Sequence, residues 1–447
     1  MKKIRLSTSH IIMISFLAAI FLGSLLLALP ISSASGNAVP YIDALFTATT
    51  ATCVTGLVTV PTVTTWSLFG QIVILILIQI GGLGIVTVMA SFVLLLNRKL
   101  GLSNRVLLQD AFNLNSLAGL SAFIKKVLLG TLLIEGIGAV LYLPVFVADF
   151  GWKGIWISVF NAVSAFCNAG IDILAEDSLC QYATHPLINF VTGALIIIAG
   201  IGFIVWWDVL RVLKDSKLRR WRYLTLHSKI ALSATAVLIF GGALLIFLFE
   251  FKNPQTIGDL SLFDKIQVSL FQSITARTAG FASVPQQNLS EGASIVSCVL
   301  MFIGGSPVGT AGGIKTVTAA VLIASAFSTI KNKNETVLFH RRISPDFIGK
   351  ALAVVAMAMM IALCSALLLS ATIDASALDL FYESISATAT VGLTRGITPL
   401  LNLWGKLIII ATMYLGRVGP ISLAIAFNLR KKSLNLIQNP TEQISVG

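Results

Sequence analysis

Four short strings in this 447-residue chain end on a glycine and hold no carboxylate: Thr52-Cys53-Val54-Thr55-Gly56, Cys167-Asn168-Ala169-Gly170, Thr278-Ala279-Gly280 and Ala389-Thr390-Val391-Gly392. Uncharged, small or β-branched side chains leave one strong ligand for a cation, the main-chain carbonyl, and room for an extended strand that presents several in a row. Glycine permits the φ > 0 geometry that turns successive carbonyls to one side. The chemistry these residues suit is coordination of a dehydrated cation. The expected carbonyl set is Val54, Thr55 and Gly56, then Asn168, Ala169 and Gly170, then Thr278, Ala279 and Gly280, and finally Thr390, Val391 and Gly392.

Each string closes the same longer pattern: an aromatic, three residues, Ser or Thr, then Ala, then the glycine. It reads Phe46-x3-Thr50-Ala51, Phe160-x3-Ser164-Ala165, Phe271-x3-Thr275-Ala276 and Tyr382-x3-Ser386-Ala387. The closing glycines lie 114, 110 and 112 residues apart, so one unit has been repeated four times. Small residues are common packing positions between membrane helices, but four in register after one shared pattern point to a four-fold pore. The third unit is one residue shorter between Ala276 and Gly280, which leaves its individual carbonyls open.

The elements that position these strings must lie in a membrane. With 56% hydrophobic and 11% charged residues and a mean hydropathy of +0.91, the chain carries more apolar surface than a soluble fold of its length buries. Twenty-three of its 31 Lys and Arg fall at the N-terminus and in Arg98–Lys126, Arg211–Lys229, Lys331–Lys350 and Arg430–Lys432, segments that the positive-inside rule makes cytoplasmic. Both termini are then cytoplasmic and each unit crosses an even number of times. The intervening segments hold 12 of the 19 carboxylates, among them Asp43, Asp172, Asp379 and Glu383, an acidic outer mouth that concentrates cations. The net charge of +12 is explained by insertion and anionic lipid, and nucleic-acid binding is not expected. The early apolar run Ile11–Leu29 resembles a signal peptide but reads as a first span, because the same run, loop and run recur later.

Each unit is therefore expected to be a span, a short re-entrant helix ending at the filter glycine, and a second span. First spans fall near Ile11–Leu29, Val127–Val147, Ser228–Phe249 and Ile348–Leu369, and second spans near Leu68–Leu96, Ile188–Leu210, Ile295–Phe327 and Leu403–Phe427. Each has the roughly 20 residues or more that cross a hydrocarbon core. Segments such as Tyr41–Ala51 and Trp156–Ala165 are too short to cross, and non-helical backbone at membrane depth is tolerated only where protein or water surrounds it. The negative end of each short helix dipole would point at the cation. The fold class is all-α, with eight transmembrane helices and four re-entrant pore helices around a pseudo-four-fold pore. The units span residues 1–100, 101–215, 216–335 and 336–430, with a cytoplasmic tail at 431–447.

The second spans carry glycines of their own: Gly81-Gly82-x-Gly84, Gly200-x-Gly202, Gly304-Gly305 and Gly416-x-x-Gly419. In the third, Gly304-Gly305-Ser306-Pro307-Val308-Gly309-Thr310-Ala311-Gly312-Gly313-Ile314-Lys315 makes a continuous helix improbable and suggests a flexible intramembrane loop beneath the carbonyls. A kink used only for packing is the competing reading. A phosphate-binding loop fails because Ile314 separates Gly313 from Lys315, and a nucleophile elbow fails on its spacing. Gly304, Gly305, Ser306, Gly309, Thr310, Gly312, Gly313 and Lys315 are the expected gate residues, together with Arg417. An intramembrane Arg is costly and faces protein or water; it is either an electrostatic barrier below the filter or an anchor to backbone carbonyls. Arg277 is expected to brace its pore helix through a carboxylate, and Glu135 to be a buried hydrogen-bonding group. The five cysteines and four histidines form no metal set, and no disulfide framework is expected.

Four membrane–pore–membrane units, one glycine per filter string, the Gly-Gly-Ser-Pro-x-Gly-Thr-Ala-Gly-Gly-Ile-Lys loop and the Gly-Arg-x-Gly string at Gly416–Gly419 resemble the Trk/Ktr/HKT superfamily of potassium transporters over nearly the whole chain. Without extra spans before the first unit, the chain looks like the KtrB-type membrane subunit of a bacterial Ktr system. The resemblance implies K⁺ selection by filter carbonyls, gating by the third-unit loop and Arg417, homodimers in the cell membrane, and a cytosolic KtrA-type nucleotide-binding regulatory ring, with Na⁺ as activator or coupled ion. No catalytic role and no bound cofactor follow from it. The membrane potential suffices to draw K⁺ inward, at about 2.3 kcal/mol per charge per 100 mV. An alternating-access secondary cation transporter is the alternative, disfavoured because the repeats are parallel; a membrane enzyme lacks any paired acid and base.

Overall fold

The computed structural model describes residues 8–84, 87, 88, 90, 120–214 and 221–419. The basic cluster at Arg430–Lys432, the tail at 431–447 and the far ends of the first and fourth second spans lie outside the described residues.

Four long apolar helices, α1 (Thr8–Leu27), α4 (Leu120–Phe150), α8 (Leu226–Glu250) and α12 (Pro345–Ser370), fall where the first spans were expected and have the length to cross a membrane. Their outward faces carry Phe21, Leu133, Val140, Val237, Phe240, Met360 and Leu367, all more than half exposed. Their chain's interior, by contrast, buries Thr50, Ser164, Gln272, Glu383 and Ser386. Apolar outside and polar inside is the reverse of a water-soluble fold, and a lipid surround is what makes it favourable.

After each long helix comes a short one: α2 (Tyr41–Cys53), α5 (Lys153–Cys167), α9 (Leu262–Thr275) and α13 (Ala377–Ala389). Ser261 and Ser376 cap the third and fourth by accepting from Asp264 N and Asp379 N, each satisfying one of the orphan amides of a first turn. Every short helix packs on the long helix before it: α2 on α1, α5 on α4, α9 on α8, α13 on α12.

The second apolar segments are broken, which corrects the expectation of continuous spans in three of the four units. The first ends as α3 (Leu68–Leu83) at Gly84, φ +82°, and the fourth as α14 (Leu403–Val418) at Gly419, φ +86°. In the second unit α6 (Pro186–Gly200) and α7 (Phe203–Lys214) meet at 95° around Gly202, φ +90°. The third divides into α10 (Glu291–Phe302) and α11 (Thr316–Ile330), with the glycine-rich loop between them as expected. Glycine supplies the left-handed backbone at each break.

These second helices knit the units together: α3 packs on α5, α6 on α9, α10 on α13, and α14 on α2, so each lies against the short helix of the next unit and the last returns to the first. After α11 a two-stranded hairpin, β1 (Val337–Leu338) with β2 (Arg341–Arg342), turns at Phe339 and His340, both with positive φ. It packs through Leu338 and Ile343 against Val317, Val321 and Ala351.

Candidate functional site

Each short helix stops at the strings singled out in the sequence. Two residues before each filter glycine the backbone enters the left-handed region, at Val54, Asn168, Thr278 and Thr390, with φ between +51° and +68°. The third unit keeps this register despite its missing residue, because α9 ends at Thr275 and Ala276 takes up the difference. Holding non-glycine residues there costs energy that the surroundings must over-determine.

The recurring Ser or Thr of the motif does that. Its carbonyl accepts from the amide preceding the glycine in all four units: Thr55 N to Thr50 O at 2.8 Å, Ala169 N to Ser164 O at 2.8 Å, Ala279 N to Thr275 O at 2.9 Å and Val391 N to Ser386 O at 2.8 Å. Its hydroxyl accepts from the glycine amide in units one and four, at 3.0 Å from Gly56 N to Thr50 Oγ1 and from Gly392 N to Ser386 Oγ. In units two and three it donates one residue further on, Ser164 Oγ to Ile171 O at 2.5 Å and Thr275 Oγ1 to Phe281 O at 2.7 Å. These bonds tie each string to the end of its own short helix.

The four glycines face one another. A Cβ on Gly56 would lie 2.6 Å from Ala169 O, and one on Gly170 2.5 Å from Ala279 O. On Gly280 it would run into Val391 O, and on Gly392 into Thr55 O. Each glycine therefore abuts the carbonyl that precedes the next unit's glycine, in the cyclic order one, two, three, four, one. The motif marks the hydroxyl, but only the fold shows that hydroxyl to be the strand's anchor.

Below these strings lies the second glycine series. A Cβ on Gly81 would run into Thr52 O, on Gly416 into Thr388 O, and on Gly82 would meet Cys167 Sγ at 2.5 Å. The broken helices approach the strings this closely only without side chains.

The third-unit loop is tied on several sides. Gly312 N donates to Thr278 Oγ1 at 3.2 Å and Thr310 Oγ1 to Phe166 O at 3.0 Å. Ser306 N donates to Gly200 O, and Phe203 N to Val308 O, both at 2.8 Å, while Ser306 and Thr316 share a hydroxyl bond of 2.8 Å. Gly304, Gly305 and Gly309 sit where Cβ atoms would crowd Gly312 O, Ala311 Cβ and Ala199 O. Gly313, φ +66°, closes the loop.

Two cations complete it. Lys315 Nζ donates to Ala311 O at 2.5 Å and is 3.5 Å from Gly312 O. Arg417 donates from Nη1 to Thr310 O at 3.0 Å and from Nη2 to Gly81 O at 2.5 Å, joining the loop to the break in the first unit. This is the carbonyl-anchoring geometry that the sequence left open beside the electrostatic one.

Arg277 corrects an expectation. Instead of a carboxylate it reaches Gly304 O at 3.2 Å and Thr235 Oγ1 at 3.5 Å. Glu135 is buried as expected and accepts from Gln79 Nε2 at 3.3 Å, beside Cys167. Near the start of α2, Lys406 Nζ donates to Asp43 Oδ1 at 2.5 Å, binding unit four to unit one, and Thr59 Oγ1 donates to the same oxygen at 2.8 Å. Burial pushes the Asp172 carboxyl up to about 6, even though Ser178 Oγ at 2.5 Å and Leu174 N at 3.3 Å donate to it.

A family model described as TrkH, cation transport protein, matches residues 3–437. The chain belongs to that family. Within it the chain is 40% identical to the Ktr system potassium uptake protein B of Bacillus subtilis, over 100% of this chain and 98% of the relative. It is 40% identical to the potassium/sodium uptake protein NtpJ of Enterococcus hirae, over 99% and 98%, and 37% identical to the Ktr system potassium uptake protein B of Vibrio alginolyticus, over 98% and 94%. These matches agree with the Ktr-type resemblance read from the sequence. Among solved structures, the potassium transporter TrkH from Vibrio parahaemolyticus superposes with a TM-score of 0.74 at 17% identity, covering 95% of this chain and 86% of that one, a likeness of fold.

Proposed function

We propose that this chain is the ion-translocating subunit of a bacterial potassium uptake system, in which K⁺ passes through a ring of main-chain carbonyls ending at Gly56, Gly170, Gly280 and Gly392. The observation that carries this reading is the cyclic contact of the four glycines, each against a carbonyl of the next unit. A carbonyl ring replaces the hydration shell of a monovalent cation and needs no side-chain charge. Relatives named for potassium uptake, spanning nearly the whole chain, supply the ion. In this reading the units are residues 1–100, 101–215, 216–335 and 336–430, each contributing two membrane crossings and one pore helix, with both termini cytoplasmic in the cell membrane.

The loop from Gly304 to Lys315, with Arg417, then acts as the gate, because it lies directly under the strings of units three and four. Opening requires release of the Arg417 and Lys315 bonds to Thr310 O and Ala311 O. A Ktr system has further components, and a homodimer docked on a cytosolic nucleotide-binding ring is the assembly proposed. Na⁺ enters as activator or coupled ion, a reading that the name of the Enterococcus relative favours.

The test is ion flux in liposomes holding the purified chain, with K⁺, Rb⁺ and Na⁺ and with and without a Na⁺ gradient. K⁺ entry that exceeds Na⁺ entry, and whose preference collapses in Gly392→Ser, is expected. Absence of K⁺ flux, or an unchanged K⁺ preference in that variant, overturns the proposal.

A further inference from the structure

Three residues beyond Gly392 stands Arg395, a cation at the outer mouth of a site that attracts cations. Its surroundings explain why it is tolerated. Asp379 and Glu383 lie one turn apart on α13, and both hold the segment that follows the fourth string. Arg395 Nε donates to Asp379 Oδ1 at 2.6 Å, Thr394 Oγ1 donates to Glu383 Oε2 at 2.6 Å, and Thr398 Oγ1 donates to Glu383 Oε1. The pairing with Asp379 neutralises the guanidinium locally.

The rest of the guanidinium crosses into unit three. Nη1 donates to Ser294 Oγ at 2.5 Å, to Leu289 O at 3.2 Å and to Gln286 O at 3.3 Å. Gln286 is itself a junction. Its side chain exchanges hydrogen bonds with Gln272 of α9, with Gln272 Nε2 donating to Gln286 Oε1 at 2.6 Å and Gln286 Nε2 to Gln272 Oε1 at 3.1 Å. Tyr382 Oη of α13 donates to the same Gln286 Oε1 at 3.0 Å. Gln272 lies one turn before Thr275, the anchor of the third string, and Tyr382 one turn before Ser386, the anchor of the fourth. Gln272, Gln286 and Tyr382 are buried, so their bonds act in a low dielectric and this part of the network is satisfied or costly with little between.

The four seams between units are not alike on this outer side. Trp156 Nε1 donates to Gln71 Oε1 at 2.8 Å between units one and two, the amide of Leu179 donates to Ala282 O at 3.0 Å between two and three, and Lys406 pairs with Asp43 between four and one. At the seam between three and four, one charged side chain of the segment after the fourth string bonds both to the pore helix of its own unit, at Asp379, and to Gln286 O, Leu289 O and Ser294 Oγ of unit three.

We infer that Arg395 is a positioning residue for ion discrimination: its fork fixes the spacing of the third and fourth carbonyl strings through the Gln286 junction. This rests on the carbonyl-filter reading. A planar fork with five donors in fixed geometry suits the task, and lysine, a point donor on a flexible stem, does not reproduce it.

The experiment measures K⁺ and Na⁺ uptake separately, with KM and maximal rate, in liposomes holding the full chain and its Arg395→Gln, Arg395→Lys and Ser294→Ala variants, with Gly392→Ser beside them. The expected result is a loss of about tenfold in K⁺ over Na⁺ preference in Arg395→Gln, through a raised K⁺ KM with the maximal rate largely kept. Arg395→Lys should recover part of the loss, and Ser294→Ala, which removes one of the cross-unit acceptors and leaves Gln286 O and Leu289 O, should show a smaller one. Equal loss of K⁺ and Na⁺ uptake, or unchanged preference in a monodisperse Arg395→Gln protein, overturns the inference. Should Arg395→Gln not yield folded protein, an unchanged preference in Ser294→Ala has the same effect. If Gly392→Ser also keeps its preference, the carbonyl-filter reading falls; if Gly392→Ser alone loses it, only the role of Arg395 falls.

Discussion

Gly312 is the position at which one methyl group tests the gate most directly. Its amide donates to Thr278 Oγ1, and a Cβ added to it would run into Thr390 Oγ1 and stand 2.6 Å from Ala389 O. The threonine hydroxyl can turn away about χ1. The carbonyl belongs to the backbone of the fourth string and cannot. To reach even the 3.0 Å floor of real Cβ contacts, the loop in Gly312→Ala must retreat by about 0.4 Å. The bond from Gly312 N to Thr278 Oγ1, already 3.2 Å, then lengthens beyond useful range, a loss of about 1 kcal/mol. The charge-assisted bond from Arg417 to Thr310 O, two residues away, weakens as well, for another ~1 kcal/mol. Together these amount to about 2 kcal/mol against the seated loop, or about 30-fold in the ratio of seated to released loop. The expected outcome is faster K⁺ flux in liposomes without loss of K⁺ over Na⁺ preference. Gly313→Ala serves as the comparison, since its Cβ would meet Gly304 N at 3.0 Å and its main cost is the left-handed backbone, about 1 kcal/mol. Its gain in flux should be smaller. Unchanged or reduced flux in Gly312→Ala, with the protein folded, would refute the gate assignment.

Two further outcomes follow from the same geometry. Arg417→Gln cannot hold Thr310 O and Gly81 O together and should raise flux, and Arg417→Lys should raise it nearly as much if the fork is what matters; near-normal flux in the Lys variant would assign the role to charge instead. Asp172 should make stability fall with pH: its folded carboxyl titrates near 6 against the ordinary 3.8, so the unfolded chain ionises first and up to about 3 kcal/mol is lost as pH rises from about 4 to 6. Asp172→Asn should leave Tm at pH 4 unchanged and raise it at pH 7.5, and a wild-type pH step in that variant would disprove the assignment.

That the four strings form a repeated set was legible because the pattern that marks them is local. The aromatic, the Ser or Thr and the closing glycine fall within eleven residues or fewer, and the pattern occurs four times. The long helices were legible for a similar reason, since twenty apolar residues in a row have few other uses. The breaks in the second helices of units one, two and four were not. Gly200 and Gly202 sit in an apolar run that a helix tolerates at about 1 kcal/mol per glycine. What decides the bend is remote: Ser306 N reaches Gly200 O, and Phe203 N reaches Val308 O, from a loop about a hundred residues away.

Arg277 was misread for the same underlying cause. A buried cation in a sequence suggests a carboxylate, yet a helix that stops inside the membrane leaves its last carbonyls without amides, and these carry the negative end of the helix dipole. Gly81 O, near the end of α3, accepts from Arg417 as well as from the capping amide of Gly84, and Gly304 O, just beyond α10, accepts from Arg277. Lys315 does the same for the loop carbonyl of Ala311. Arg277, Lys315 and Arg417 are thus partners of backbone carbonyls at and beside these breaks. In units one and three the breaks place positive charges beneath the strings, Arg417 at Gly81 O, Arg277 at Gly304 O and Lys315 at Ala311 O, whereas the break of unit two is met by the amides of the third-unit loop. Under the proposed carbonyl-filter reading, the strings above meet the passing ion with the same kind of group that these side chains meet below.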